Sequence, residues 1–590
     1  MGVERLFSTL QKNFNFISPL NLNNYTHLLF DFNSIIHQVT QVNPDLSDEN
    51  YFPLISKFID NILNFFPKLT HLYFFIDGVP TRAKILEQQK RRYLSKIFQL
   101  IYLKNNLNFS SFDKSKISPG TLFMSNLQNY LLDYYSNKYQ FHLDTYNNPG
   151  EAEFKILKYL LKNNINQPII FSPDSDMILL SLLQNNLTIL SQDKNKTFIF
   201  IDINNLKKAI LKPINYLYPN KFNPQDVIND IVILFSFFGD DFIPKIDIIP
   251  VNLTLNFILD LYFQHLYSNP LIFTKNNTNW NSFKIFIQSF KPFLHLLDIT
   301  NQQQKKYHNY NYVIDFNLKA LLYNNINNNN YNLSLYFALL KEIDLIEFNQ
   351  NYSLKNNLPF QFYHLKMDFN QILTFYRSYI TTKNNPKYSK TIKPLSFSFK
   401  STDNYHQQKL NSLDPKQQLD YKINYRLDEF YHLFNTNHQL HNTNNDFILD
   451  YLIGIDWIRN YYLNLDDTIN SFCYLHHHVP TLNHLIDFNY NNININKFKP
   501  IPTFTPWEHF IYVSPLYPSN LSILNYLDYP NKKNIKKFIK KLIFVDLNQY
   551  LDKLLNHQTQ LFCHHTIFIN KCDLPFLIQL ENQRFKLLYK

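Results

Sequence analysis

The chain has 590 residues, enough for two to four domains with substantial cores, and a formal net charge of +11 that permits a nucleic-acid partner without demanding one. Three scattered cysteines (Cys473, Cys563 and Cys572) exclude a disulfide framework and suit a reducing compartment. The opening "MGVERLFSTLQKNF" lacks the apolar core of a signal peptide, and no apolar run reaches the length of a membrane span, about 18 residues. Gly and Arg are scarce, with six glycines and eight arginines, while Asn, Ile, Tyr, Phe and Lys abound in the manner of AT-biased coding. A disfavoured residue that persists in such a chain marks a position that needs it.

In chain order, the first 250 residues read as α/β. Short apolar runs, "HLLFDFNS" (27–34), "HLYFFIDG" (71–78) and "PIIFSPDSD" (168–176), end in acidic or turn residues. Between them lie amphipathic stretches of helical length, "TRAKILEQQKRRYLSKIF" and "EAEFKILKYLLKN". Strands alternating with helices predict a mainly parallel central sheet flanked by helices, with the ligand site beyond its C-terminal strand ends. Polar stretches at about 300–333, 383–418 and 489–497 read as loops or linkers, and helical patterns cover 334–380, 417–463 and 534–556. The expected division is 1–265, 266–415 and 416–590.

Acidic residues follow the apolar runs: Asp31, Asp77, Asp174 and Asp176, then Asp240 and Asp241 in "FFGDDFIPK". The last apolar run is read, like the others, as a buried strand. Glu151 and Glu153 follow a Pro-Gly turn in "NNPGEAEFKI". Each alone is an ordinary helix cap or first-turn charge. Together they would converge on one sheet edge, where so many carboxylates need cations. Hard oxygen ligands select Mg²⁺ or Mn²⁺, and two such ions about 4 Å apart suit phosphodiester hydrolysis. Three glycines, Gly78, Gly150 and Gly239, abut these acids.

"FFIDGVPTRAKILEQQKRRYL" (74–94) holds three of the arginines. Lys84, Gln88, Arg91 and Arg92 stand at i, i+4, i+7 and i+8, within an arc of about 100° on a helix. Such a face is either a solvated stripe or a pocket for a terminal phosphate, to which Arg presents a planar fork of donors.

These motifs resemble the XRN-type 5′→3′ exoribonucleases. The resemblance rests on "MGV", "FDFNSIIH" (30–37), "IDGVPTRAKILEQQKRR" (76–92), "SPGTLFM" (118–124), "PGEAEFKI" (149–156), "PDSDMILL" (173–180) and "FGDDFIPK" (238–245). Weaker but collinear are "YLIGIDWIRNYY" (451–462), "INSFCYLHHHVP" (469–480) and "FTPWEHFIYVSPLYPS" (504–519). It implies a sheet of the PIN/flap-nuclease-like type in residues 1–265, a helical segment with linkers in 266–415, and a largely helical region in 416–590 that encloses the active site.

By the same resemblance, the activity is hydrolysis of single-stranded RNA from a 5′-monophosphate end with release of 5′-mononucleotides. Two Mg²⁺ ions, with Mn²⁺ as a substitute, would be held by Asp31, Asp77, Glu151, Glu153, Asp174, Asp176 and Asp241. Asp240 replaces the family's usual Asn and is expected to support them. Lys84, Gln88, Arg91 and Arg92 match the 5′-phosphate pocket, and His37 the residue that stacks on the terminal base. Phe472 replaces a Trp that bounds that base, which would weaken stacking and with it processivity. The chain reads as the catalytic core alone, a monomer of viral type, in the cytoplasm before the nucleus, with a decapping enzyme as functional partner. The competing readings are a DNA flap endonuclease and a catalytically weak RNA-binding relative. The first would need a Gly-rich helix–hairpin–helix for duplex DNA, which this Gly-poor sequence does not supply, and the second would have lost carboxylates.

Overall fold

The computed structural model describes residues 3–294 and 446–528, apart from short stretches within each. The patterns at 300–333, 334–380, 383–418 and 534–556, the segment 266–415 beyond residue 294, and Cys563 and Cys572 lie outside the described residues.

Six strands form one sheet: β1 (His27–Asp31), β2 (His71–Phe75), β3 (Gln140–Asp144), β4 (Ile169–Phe171), β5 (Thr188–Gln192) and β6 (Phe198–Asp202). Their spatial order is β3-β2-β1-β4-β5-β6, all parallel except β6, which runs against β5. The mainly parallel sheet is the one expected, and β3, β5 and β6 are strands that the expectation did not include. Phe30 pairs with Phe74 on one side and Phe171 on the other, so the C-terminal ends of β1, β2 and β4 are level. The chain reverses its direction of strand addition between β1 and β4, the place where α/β sheets bind ligands.

The helices of the first region are α1 (Leu6–Asn13), α2 (Phe32–Val42), α3 (Asp48–Leu63), α4 (Arg82–Lys104), α5 (Leu122–Tyr135), α6 (Ala152–Asn163), α7 (Ser175–Ser181), α8 (Ile203–Leu217), α9 (Pro224–Leu234), α10 (Val251–Ser268) and α11 (Trp280–Gln288). The second region contributes α12 (Asp446–Asn464), α13 (Leu482–Asp487) and α14 (Pro506–Val513). Strand alternation divides the core. Leu28, Phe30, Leu72, Phe74 and Phe171 pack with α2, α3 and α5 on one face. Leu29, Tyr73, Phe75 and Ile170 face α6, α7 and, through them, α12. Both faces are covered, so the strands read as continuous apolar runs.

One expectation is corrected. The apolar run before Asp240 is not a strand but α9 followed by a 3₁₀ turn over Phe235–Phe238. Asn223 caps this helix, accepting from Gln225 N at 2.9 Å, and Pro224 opens it. Its apolar residues are buried all round, so it lacks the polar face that marks a helix in sequence.

Two contacts hold the frame. Asp230 of α9 is fully buried and accepts from Tyr262 Oη (2.7 Å), Ile272 N (2.7 Å) and Phe273 N (2.6 Å). Beyond β2, Gly78 N donates to Gly150 O (2.9 Å) and Gly150 N to Val79 O (2.8 Å). A Cβ at residue 78 would stand 1.8 Å from Asn148 O, so only glycine permits this approach.

Asp230→Asn places an amide NH₂ against buried donors and should destabilise the chain by about 1–3 kcal/mol in urea unfolding. An unchanged midpoint would remove Asp230 from the frame. Gly78→Ala should likewise lower stability by about 1–3 kcal/mol in thermal melts as the two loops are forced apart.

Candidate active site

The carboxylates are set by strand ends and helix starts. Asp31 closes β1, and its Oδ2 accepts from Ser172 Oγ at 2.9 Å, the residue that follows β4. Ser172 Oγ also accepts from Asp174 N (3.2 Å), and Asp174 caps α7 by accepting from Asp176 N (3.2 Å). Asp77, just past β2, accepts from Ala152 N at 2.8 Å, the first residue of α6. That bond sets Asp77 beside Glu151, which precedes α6, and Glu153 in its first turn. Lys155 fixes α6 to the strand ends by donating to Ile76 O (2.8 Å), Thr145 O (2.8 Å) and Asp144 Oδ1 (3.0 Å). Asp241 comes from the turn after α9. Gly239 enters that turn with φ of 82°, and Asp240 Oδ1 closes it by accepting from Phe242 N and Ile243 N, each at 2.8 Å.

The seven acids form one electrostatic set. Burial, then Asp77 and Asp174, push Asp31 well above the ordinary carboxylate range. Burial and then Glu151 raise Asp77 to about 6. Glu153 is raised well above its usual value by burial and by Asp31, Glu151, Asp77 and Asp174. Burial, Asp174 and Asp241 do the same to Asp176. Asp241 goes the other way: burial pushes it up, but Lys84 and Arg91 outweigh burial and hold it below the usual range. Asp240 is raised to about 7, chiefly by burial, and its Oδ2 is buried without a hydrogen-bond partner among the described residues.

The basic face of α4 reaches this set and divides over it. Lys84 Nζ bridges Glu151 Oε1 (2.7 Å) and Asp241 Oδ2, while Arg91 Nη2 donates to Asp241 Oδ1 (2.5 Å). Gln88 turns to α14, where its Oε1 lies 2.8 Å from His509 Nε2. The Nη1 of Arg92 is buried and meets no hydrogen-bond partner among the described residues. His37 is exposed, and desolvation, then the charges of Lys114 and Arg92, push its pKa down to about 4. Phe472 is packed inside, stacked on Trp457 with ring centres 5.5 Å apart and set against Gly454.

Helix α12 covers the site: Tyr461 stacks on Phe154 of α6 (ring centres 4.0 Å apart), and Phe242, next to Asp241, lies edge-on to Trp457 (5.2 Å). Among the described residues no three His, Cys, Asp or Glu side chains already form a group that could hold a metal ion. Lys84 supplies positive charge between Glu151 and Asp241 instead. The donors nevertheless fit a hard divalent cation: they are all carboxylate oxygens, largely buried, and they raise one another's proton affinity.

Lys155, Ser172, Gln89 and His509 take part without having been anticipated. All four sit inside the sequence stretches named above, and their burial was the missing signal. Gln89 Nε2 donates to Tyr512 O at 2.9 Å.

The family model described as "XRN 5'-3' exonuclease N-terminus" matches residues 1–193. A protein of Acanthamoeba polyphaga mimivirus, provisionally named 5'-3' exonuclease R528, is 28% identical over 601 residues, covering 85% of this chain and 94% of that protein. The 5'-3' exoribonuclease 1 of Saccharomyces cerevisiae is 26% identical over 302 residues, 43% of this chain and 20% of that protein. The human 5'-3' exoribonuclease 1 is 22% identical over 303 residues, 43% of this chain and 18% of that protein. The chain thus spans about a fifth of these two cellular relatives. A solved structure of the catalytic core of Rad2 in complex with DNA substrate aligns at a TM-score of 0.28 with 14% identity, over 51% of this chain and 78% of that one. Residues 1–193, which carry the basic helix α4 and six of the seven acids, thus match the XRN 5'-3' exonuclease N-terminus family, and most of the chain is similar to the mimivirus protein.

Proposed function

We propose that the chain is a 5′→3′ exoribonuclease that takes single-stranded RNA with a 5′-monophosphate and releases 5′-mononucleotides. The observation that carries this reading is the contact between the basic face of α4 and the buried carboxylates, made by Lys84 and Arg91 on Asp241. It puts a phosphate-binding face and a set of hard oxygen donors within one site. The unpartnered Arg92 Nη1 adds a buried donor for an anion.

On this reading Asp31, Asp77, Glu151, Glu153, Asp174, Asp176 and Asp241 hold two Mg²⁺ ions, or Mn²⁺ in their place. Such ions supply an activated water and neutralise the leaving oxygen. The chain's own residues do the rest. Ser172 and Ala152 N hold Asp31 and Asp77 in place. Lys84, Gln88, Arg91 and Arg92 donate to the terminal phosphate and set which phosphodiester lies over the acids. His37, exposed at the surface, offers a face to the first base. On this reading Phe472, packed on Trp457, bounds the same base. A 5′-hydroxyl brings none of the anionic oxygens of a phosphate to the donors, and a cap does not fit where a phosphate must end.

The proposed enzyme acts as a monomer in the cytoplasm, after a decapping-type reaction that leaves a 5′-monophosphate. Among the described residues no helix is long and apolar enough to cross a membrane.

Asp174→Ala and Asp176→Ala should each abolish Mg²⁺-dependent nuclease activity while circular dichroism and the melting temperature stay near those of the parent. Full turnover by both would overturn the metal assignment. On end-labelled RNAs differing only at the 5′ end, the monophosphate should be degraded while the hydroxyl and capped forms resist, with single-stranded DNA as a control. Arg92→Ala should lower kcat/KM on the monophosphate RNA by about 1.5–3 kcal/mol, roughly 10- to 100-fold. Equal rates on all three ends would overturn the pocket.

A further inference from the structure

Helix α14 lies against α4, with Val79, Ile85, Phe504, Tyr512 and Val513 forming an apolar seam between them. Its start is locked: Thr505 N and Oγ1 both donate to Glu508 Oε2, at 2.7 and 2.8 Å. The Gln89–Tyr512 bond pins the other end to α4. Inside this fixed contact, His509 is 1% exposed, and one of its ring nitrogens meets Gln88 while the other, Nδ1, is buried with no hydrogen-bond partner among the described residues.

The hydrogen-bond inventory assigns the proton. Burial, aided by the nearby Arg92 charge, pushes the imidazole pKa down to about 3, so the ring is neutral and carries one N–H. On Nδ1 that N–H would be buried without an acceptor. On Nε2 it points to Gln88 Oε1, 2.8 Å away. With its carbonyl oxygen accepting from His509, Gln88 can present only its NH₂ group elsewhere. An amide free to turn over would offer either its NH₂ or its carbonyl oxygen, and the oxygen repels a phosphate.

We propose that His509 is a positioning residue for 5′-end selection: its Nε2–H holds the Gln88 amide in the one orientation that donates to a terminal phosphate. This rests on the reading of Lys84, Gln88, Arg91 and Arg92 as the phosphate pocket. It gives the second region a part in choosing substrate ends, through a residue that touches neither the phosphate nor the carboxylates.

The test uses the full chain with ¹⁵N-labelled histidine and RNAs ending in 5′-monophosphate or 5′-hydroxyl. In the free protein, His509 should show the Nε2–H tautomer and no titration between pH 5 and 8. His509→Leu should lower the ratio of kcat/KM for monophosphate over hydroxyl RNA about tenfold, leaving the hydroxyl RNA rate unchanged. His509→Gln, whose amide can donate at the same reach, should restore most of the ratio. In a Gln88→Ala background, His509→Leu should add nothing. An Nδ1–H tautomer, an equal fall on both RNAs, a leucine variant with the parental ratio, or additive losses would each overturn the proposal. A parent that ignores the 5′ end would instead overturn the reading of the phosphate pocket, and the tautomer would still decide the placement of the proton.

Discussion

Seven carboxylates meeting at the edge of a parallel sheet repel one another, and the surrounding structure is organised by their need for positive charge. Asp31, Asp77, Glu153 and Asp176 hold their protons more tightly than free carboxyls because burial and like charge act together. Asp241 alone is pulled the other way, because Lys84 and Arg91 lie on it. The ion pairs therefore do two things. They partly neutralise the acids, and they draw the basic helix onto the sheet edge, which fixes the distance between the two halves of the site.

Neutral contacts keep this charged assembly in register. Ser172 ties Asp31 to the loop after β4, and Ala152 N ties Asp77 to the start of α6. Lys155 anchors α6 to the ends of β2 and β3. The close approach of residues 78 and 150 lets the two loops meet, which a side chain at 78 would prevent. The second region closes the site from above with the aromatic face of α12 and from the side with α14, so that His509 reaches the helix that carries the basic face.

Much of this was legible in the chain. Strands ending in Asp, a Pro-Gly turn before paired glutamates, and arginines clustered in an Arg-poor sequence pointed to one edge and one helix. The run before Asp240 misled because an all-round apolar helix and a buried strand look alike in one dimension. Strands β3 and β5 were missed because polar residues interrupt their apolar ones, and β3 has no fully buried residue; β6, with the sequence FIFID, is itself an apolar run ending in an acid and was passed over. The basic face was read as a single row, yet it divides: Lys84 and Arg91 turn to the acids, Gln88 to His509.

By itself the sequence determined the residue chemistry: which positions are acidic, which are basic, and at what helical spacing, because these follow from side-chain identity and local period. It also determined that glycine persists at 78, 150 and 239 in a chain that avoids it. Only the tertiary structure decided who meets whom. That Lys84 lies between Glu151 and Asp241, or that His509 meets Gln88 from 421 positions away in the chain, depends on how elements far apart in the chain pack, and no local pattern encodes it.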